Sequence, residues 1–554
     1  FLISVVLSSA KGAEGETPTG ISPSAVRYNE PIVLTHSVQV KVRSLSGSVW
    51  SALNEAIFSV GPVAESLRIN EIMYHPAGDP NAEYVELTNV GAETINLNLV
   101  RFTKGIEYTF PNFELPPGGY CLLVKDVVAF ETRYVGELPV VGEYAGSLNN
   151  AGERIELLDA AGGVIQSFEY EDDWFDLTDG SGFSLTLRAP QAPNLNSGSA
   201  WRPSACAGGS PGEDDSGQTP EPGSVVINEL LANPAKGGCD WIELYNTTAG
   251  AIDLSGWFLS DDANDLTRYR IAEGTTIPAG GFVVFDQDQH FGNPSDPGCR
   301  RPFGLGKDGE TVYLTSASGG VLTGCSEREK FGASDSGVSL GCWQKSTGSY
   351  NFVALEGPTP GAANAAPVVG PVVISEIQYH PSGHEGAEYV ELLNVGDSAV
   401  TLYDAAEQSP WRFTDDPDDP KIDLLLPSDP PVTLAPGEYL VLAKDLSLFN
   451  AAYTVPAGVQ VLAWGFGKLP DDGGKIQLSR PFEVDDDGLR QWIRVDRIVY
   501  SDGAHPQDFA EGEDPWLVDA DGQGKSLNRV DPQAYGNDPA NWQAAAPSPG
   551  RANP

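Results

Sequence analysis

Apolar residues along this chain come in short runs, many of them branched, and each run is closed within a few positions by Gly or Pro. No stripe at i, i+3, i+4, i+7 persists beyond about two helical turns, so the pattern predicts an all-β protein of many short strands. The runs also repeat. "INEIMYHP" from Ile69 returns as "INELLANP" from Ile227 and "ISEIQYHP" from Ile374. "AEYVELTNVG" from Ala82 returns as "CDWIELYNTT" from Cys239 and "AEYVELLNVG" from Ala387. A Pro-Gly turn then feeds an alternating apolar strand ending in an acidic residue: "LPPGGYCLLVKD" from Leu115, "IPAGGFVVFDQD" from Ile277 and "LAPGEYLVLAKD" from Leu434. A fourth element begins at Glu153, Glu310 and Gly474, and a fifth, a Ser-Leu strand after a Gly turn, at Gly182, Gly337 and Gly524. At Glu71, Glu229 and Glu376 the copies are spaced by 158 and 147 residues. Each copy is therefore a whole domain, since a solenoid unit repeats every 20–50 residues or so.

Strand after short strand with Gly/Pro turns is the pattern of a two-sheet sandwich. The "INE" strand, the "WIEL" or "YVEL" strand, the "DLSGWFLSDD" segment from Asp253 and the "IPAGGFVVF" turn and strand together resemble the lamin tail domain. That is the immunoglobulin-like β-sandwich of nuclear lamins and of many large secreted bacterial proteins. The second copy fits best; the first and third lack the "SGW" segment but share "YHP" and "AEYVEL". The resemblance implies three tandem immunoglobulin-like β-sandwiches, over 65–205, 224–364 and 370–550. Upstream, the stretch from Ala25 to Val60 is similar to the last strands of the small β-sandwich at the C-terminus of chitobiases, giving a partial domain over 1–60. In that family earlier strands come first, and here "LISVVL" alone is available as one. Either the chain is a fragment of a longer polypeptide or a partner supplies a strand. The connectors 203–224 and 356–371 read as short exposed linkers stiffened by proline, and the array as a rod of beads. "SPGEDD" at Ser210, "TPGAAN" at Thr359 and "SPGRAN" at Ser548 occupy the same place in each copy.

Charge and cysteine content narrow the setting. With 33 Lys and Arg against 77 Asp and Glu the net charge is −44, which repels phosphate backbones and anionic membrane surfaces. Nucleic acid is thus excluded as the expected partner. None of the six cysteines sits in a C-x-x-C pair, and four fall in the middle copy. Disulfides in an oxidising compartment are expected, paired Cys239–Cys299 and Cys325–Cys342, which places the protein outside the cell or on its surface. No segment reads as a transmembrane helix; the apolar run in "FLISVVLSSAKG" is about seven residues, too short to span a bilayer. "SSA" before Lys11 has the form of a signal cleavage site, but Leu2, Ile3, Val5, Val6 and Leu7 read better as a strand. That strand would pair within the chain or with a neighbour's open sheet edge.

Candidate chemistry is sparse. "GVSLG" at Gly337 matches a G-x-S-x-G nucleophile elbow, yet its sister copies read "GFSLT" and "GKSLN", so Ser339 belongs to a repeated strand. His380 and His384 with Glu385 and Glu388 suggest zinc, but Pro and Gly between them forbid the helix that would align them. "NTT" at Asn246 fits a glycosylation sequon, and the acidic loops at Asp415, Glu483 and Val518 match no EF-hand. The repeated glutamates carry more weight. Glu71 with Glu86, Glu229 with Glu243, and Glu376 with Glu391 lie on two successive strands, and burying a carboxylate unpaired costs several kcal/mol. They are expected either to clasp a strand junction by accepting turn N–H bonds or to ligate calcium. The function expected is non-catalytic: an extracellular structural or adhesive rod, self-assembling through the N-terminal strand. The alternatives are a glycan-binding region of a larger secreted enzyme and a calcium-dependent adhesin.

Overall fold

The computed structural model describes residues 2–8, 25–192, 194–485, 488–506, 509 and 513–554, the first seven as backbone alone. The cleavage-site reading at Ser9–Lys11 lies outside these residues. The fold is all-β. It divides into two compact units, residues 1–224 with 315–326, and 225–314 with 327–554. Among the described residues no helix is long and apolar enough to cross a membrane.

In the first unit, the strand Leu2–Ser8 runs antiparallel to Val38–Ser46 of the same chain, Val5 opposite Val42 and Leu7 opposite Val40. Its other edge meets Val26–Arg27. The first repeat follows as two sheets. One has six strands in the order Val140–Glu143, Tyr120–Val124, Tyr84–Asn89, Leu67–Met73, Leu185–Leu187 and Trp201–Pro203. The other is centred on Arg101–Lys104, Glu153–Leu158 and Val164–Tyr170. Ile69, Val85, Leu87, Phe102, Ile155, Phe168 and Trp201 fill the space between them. The unit also includes the hairpin tip at 315–326, where Thr323 bridges Cys206.

The second unit holds the other two repeats. The third copies the first: its six-stranded sheet has the same order, from Gln460–Ala463 through Tyr439–Ala443, Tyr389–Asn394, Val372–Gln378 and Ser526–Arg529 to Trp542–Ala545. In the second repeat the corresponding sheet has five strands, Phe282–Asp286, Trp241–Asn246, Val225–Leu231, Leu340–Gln344 and Tyr350–Ala354.

Two features depart from the periodicity reading. The acidic residue closing "LLVKD" and "VLAKD" does not end an element; Asp126 and Asp445 cap helices at Val127–Arg133 and Leu446–Ala452, accepting from Ala129 N and from Ser447 N and Leu448 N. Phe130 and Phe449 then pack onto the outer face of the six-stranded sheet beside Tyr84 and Tyr389. The expected disulfides are also absent: all six cysteines are thiols. Cys325 donates to Glu221 O in the first unit and Cys342 to Ile227 O in the second, while Cys299 donates to Phe291 O, so these sulfurs serve as weak hydrogen-bond donors to backbone carbonyls.

Candidate functional site

The first strand of each repeat is bulged at one place. Pairing shifts between Ile69 and Glu71, between Ile227 and Glu229, and between Ile374 and Glu376. An extra residue flips the side-chain alternation. Ile69 and Ile72 both reach the inter-sheet core, leaving Glu71 on the opposite, outer face with Met73. Across the ladder Glu71 faces Glu86, Glu229 faces Glu243 and Glu376 faces Glu391. All six side chains are fully buried.

Six carboxylates out of water need donors, and one later segment of each repeat supplies them. In the first, Ser210 donates N–H to Glu71 Oε1 at 2.8 Å and its hydroxyl to Oε2 at 3.0 Å; Gly212 N–H meets Glu86 Oε2. In the third, Ser548 N–H reaches Glu376 Oε1 at 2.9 Å and Gly550 N–H meets Glu391. In the second, Thr359 donates N–H at 3.0 Å and Oγ1 at 2.7 Å to Glu229, and Gly361 N–H meets Glu243. The bulge residue completes each set. Asn70 Nδ2 donates to Glu86 at 2.9 Å, Asn228 Nδ2 to Glu243 at 2.8 Å and Ser375 Oγ to Glu391 at 2.7 Å. Tyr84 and Tyr389 each add a hydroxyl at 2.6 Å to the first glutamate, and Ser184 and Ser526 close on the same oxygens.

The first two of these segments lie in the connectors 203–224 and 356–371, read as exposed linkers. Their S/T-P-G starts instead fold back and staple the strand junction, and Asp215 is buried against Arg202. The geometry is that of the clasp rather than of a calcium cage. N–H and O–H groups point hydrogens at the oxygens a cation would need, and carboxylates meet in pairs. Among the described residues no three His, Cys, Asp or Glu gather as a metal site. His380 accordingly pairs with Asp521 at 2.5 Å, not with His384, as His75 pairs with Asp179.

Burial shifts the titration of these groups. It raises Glu71 and pushes Glu86 up to about 9, with the neighbouring Glu71 charge as the second cause. Burial likewise raises Glu376 and Glu243 and pushes Glu391 up to about 8. Like charges directly opposite on a ladder repel, so the first and third pairs each retain a proton at neutral pH.

Two sets of residues have roles that the sequence does not announce, although Glu388 and Asn246 among them stand out there as a zinc candidate and a sequon. Glu83, Asp240 and Glu388 are a third buried acid per repeat, each accepting one loop N–H: from Leu148 at 2.9 Å, Leu305 at 2.7 Å and Leu469 at 2.8 Å. The signal was present in the aligned "AE", "CD" and "AE" positions. Asn89, Asn246 and Asn394 end the same strands and donate to the carbonyls of Leu115, Ile277 and Leu434. Asn246 is thus a buried latch and not an exposed glycosylation site. Ser339, the elbow serine, is fully buried ahead of the strand Leu340–Gln344, with no helix after it.

Fold and clasp together define a class: an immunoglobulin-like sandwich module stapled by its own trailing segment. Residues 62–172 and 218–328 match the family model of the Lamin Tail Domain, two copies in tandem, and each match contains one of the first two glutamate pairs. No curated protein matches the chain. Among solved structures, a quinonprotein alcohol dehydrogenase-like protein from Bacteroides thetaiotaomicron VPI-5482 aligns over 90% of this chain and 89% of that one at 10% identity. Its TM-score of 0.10 assigns neither fold nor function.

Proposed function

We propose that this chain is a non-catalytic structural protein working outside a bacterial cell, built of three lamin-tail-like modules behind a partial chitobiase-like N-terminal domain. One observation carries the reading: the repeated carboxylates are consumed by the clasps. Groups that would be paired acids in an enzyme, or ligands in a calcium adhesin, are sealed behind turn N–H donors with every side chain buried. Lamin tail domains are a non-enzymatic fold, which agrees with this. Six of the 11 tryptophans, Trp201, Trp257, Trp411, Trp464, Trp516 and Trp542, are buried and offer no stacking platform, which leaves five partly exposed ones for the glycan-binding alternative.

Assembly through the strand Leu2–Ser8 requires it to leave Val38–Ser46 of its own chain for the same edge in a neighbour, a domain swap. Electron microscopy of the full chain and of a variant lacking residues 1–12 tests this. Assemblies form with the intact chain and are lost from the truncated one; assemblies of equal length from both reject exchange. A melting temperature unmoved by EDTA is expected for all three modules, and a fall of several degrees restores the calcium reading.

A further inference from the structure

Within the second compact unit lies a cleft of about 960 Å³, bounded by the hairpin Leu340–Gln344 and Tyr350–Ala354 on one side and by the strand Arg490–Ser501 on the other. Its charge runs against the rest of the chain. Seven Lys and Arg line it with five aspartates, in a protein whose acids outnumber its cations 77 to 33. Five of the seven cations are paired. Arg412 meets Asp423 at 2.7 Å, Arg490 meets Glu407 at 2.6 Å and Arg529 meets Asp496 at 2.6 Å. Lys330 lies 3.9 Å from Asp418, and Arg480 contacts Asp335.

Arg494 and Arg497 have no carboxylate partner within 4.0 Å among the described residues. Arg494 Nη2 donates to Phe352 O at 2.8 Å and Arg497 Nε to Gln477 Oε1 at 2.6 Å, which leaves most of each guanidinium fork unused. A bulge brings them together. Gln477 pairs with Arg497 and Ser479 with Arg494, so Val495 is the extra residue and both arginines project from one face. Arg412 pairs with Ser479 from the other side and joins that row, its guanidinium 5.4 Å from the Trp492 ring. Burial and the neighbouring Arg494 charge lower Arg497 to about 10, so its guanidinium stays cationic at neutral pH. Carboxylates stand farther off, Glu329 acting on Arg494 and Asp418 and Asp416 on Arg497, but none takes up the unused N–H groups of the two forks, which an anion seated between them would satisfy.

We propose that this face binds the oxyanion of a small acidic ligand, a carboxylate, sulfate or phosphate, between Arg494 and Arg497. Guanidinium forks match such groups in a bidentate manner, and cavities of roughly 300–1,000 Å³ suit ligands of up to oligosaccharide or drug size. The net charge of −44 repels long polyanions, which favours a short ligand with one or two charges. The inference goes beyond the structural reading above and does not rest on it.

Arginine modification of the intact chain by phenylglyoxal tests it, read residue by residue by peptide mass spectrometry at low ionic strength. The probes are sodium sulfate and, separately, a glucuronic-acid disaccharide. Modification of Arg494 and Arg497 slows at least five-fold, while exposed Arg154, which bonds Ser167 in the first repeat, is unaffected. Protection by sulfate alone identifies a free-ion site, and stronger protection by the disaccharide identifies a saccharide acid. No protection by either, or equal protection of Arg154, overturns the proposal. The double variant R494Q/R497Q loses at least ten-fold in calorimetric affinity for the protecting probe; unchanged affinity also overturns it.

Discussion

The first and second repeats write the same two glutamates into the same bulged junction and surround them differently. Glu71 receives four donors, from Tyr84, Ser184 and both groups of Ser210; Glu229 receives two, both from Thr359. At the register position of Tyr84 the second repeat has Trp241, whose indole carries no hydroxyl, and Ser339 Oγ, in the place of Ser184, is buried without a partner. The staple is also less covered there, since Gly361 is exposed where Gly212 is half-buried. Among the described residues the sheet itself has no counterpart of the parallel edge strand that Val140–Glu143 adds in the first repeat. What both repeats retain is a bulge-residue amide on the second glutamate and two turn N–H groups from an S/T-P-G segment. That set is sufficient to close the junction; tyrosine and serine reinforce it.

The largest expected effect separates the two clasps directly. Glu71→Ala strands a tyrosine hydroxyl, two serine hydroxyls and a backbone N–H, at a cost of about 3 kcal/mol. Glu229→Ala abandons fewer donors, with a more exposed staple, and costs about 1.5 kcal/mol. Hydrogen exchange of the amides at Ser210 and Gly212, against those at Thr359 and Gly361, measures each locally within the intact chain. Equal acceleration in the two variants removes the distinction between the clasps.

Next in size is the response to pH. A carboxyl whose folded pKa lies above its unfolded value holds its proton more tightly when folded. Its contribution is complete below about 4.5 and is lost as pH rises through the folded value. For Glu86 and Glu391 that window ends at about 9 and about 8, so the first and third repeats weaken between pH 5 and 9, by on the order of 2 kcal/mol each. The second repeat has raised carboxyls of its own, Glu310 and Glu329, each pushed by burial up to about 7, so its loss ends near pH 7 and the first and third repeats alone keep weakening from there towards pH 9. General repulsion among the surface acids acts on all three and does not produce this ranking. Glu86→Gln keeps an acceptor and flattens the slope in the first repeat alone. Exchange protection that declines equally in all three repeats, or a Glu86→Gln variant with an unchanged slope, removes the buried proton from the account.

Much of this was legible in the chain, because a two-residue period and a threefold repeat survive without tertiary context. The "INE" and "YVEL" runs locate the paired strands, and the glutamate pairs come out opposite one another as adjacency implies. The bulge was not legible. A one-residue register shift leaves composition untouched, yet it decides that Glu71 faces outward among donors while Ile72 faces the core. The staples stand in the sequence as repeated S/T-P-G words, the first two inside the connectors, but Pro and Gly mark a turn without saying what its N–H groups bond, so their hold on the glutamates is not legible there. The helix caps Asp126 and Asp445 were hidden by brevity, since a seven-residue helix shows less than two full turns of pattern. Cysteine count misled, because partners that are close in sequence need not bring their sulfurs together.

The smallest effect tests the comparison most sharply, because it turns on one oxygen atom in two places. Ser184 and Ser339 occupy matching positions at the "SL" strand, and both are fully buried. Ser184 Oγ donates to Glu71, so Ser184→Ala removes a charge-assisted bond and costs about 1–2 kcal/mol. Among the described residues Ser339 Oγ has no acceptor, and its burial is already unfavourable, so Ser339→Ala relieves an unmade bond. The expected change is between zero and a gain of about 1 kcal/mol, read as an unchanged or raised melting temperature for the second repeat. The same variant bears on chemistry: hydrolytic activity toward an ester panel that vanishes in Ser339→Ala makes this residue a nucleophile after all. A matched loss of stability in both variants shows instead that the second clasp reaches Ser339, and that the two junctions are built alike.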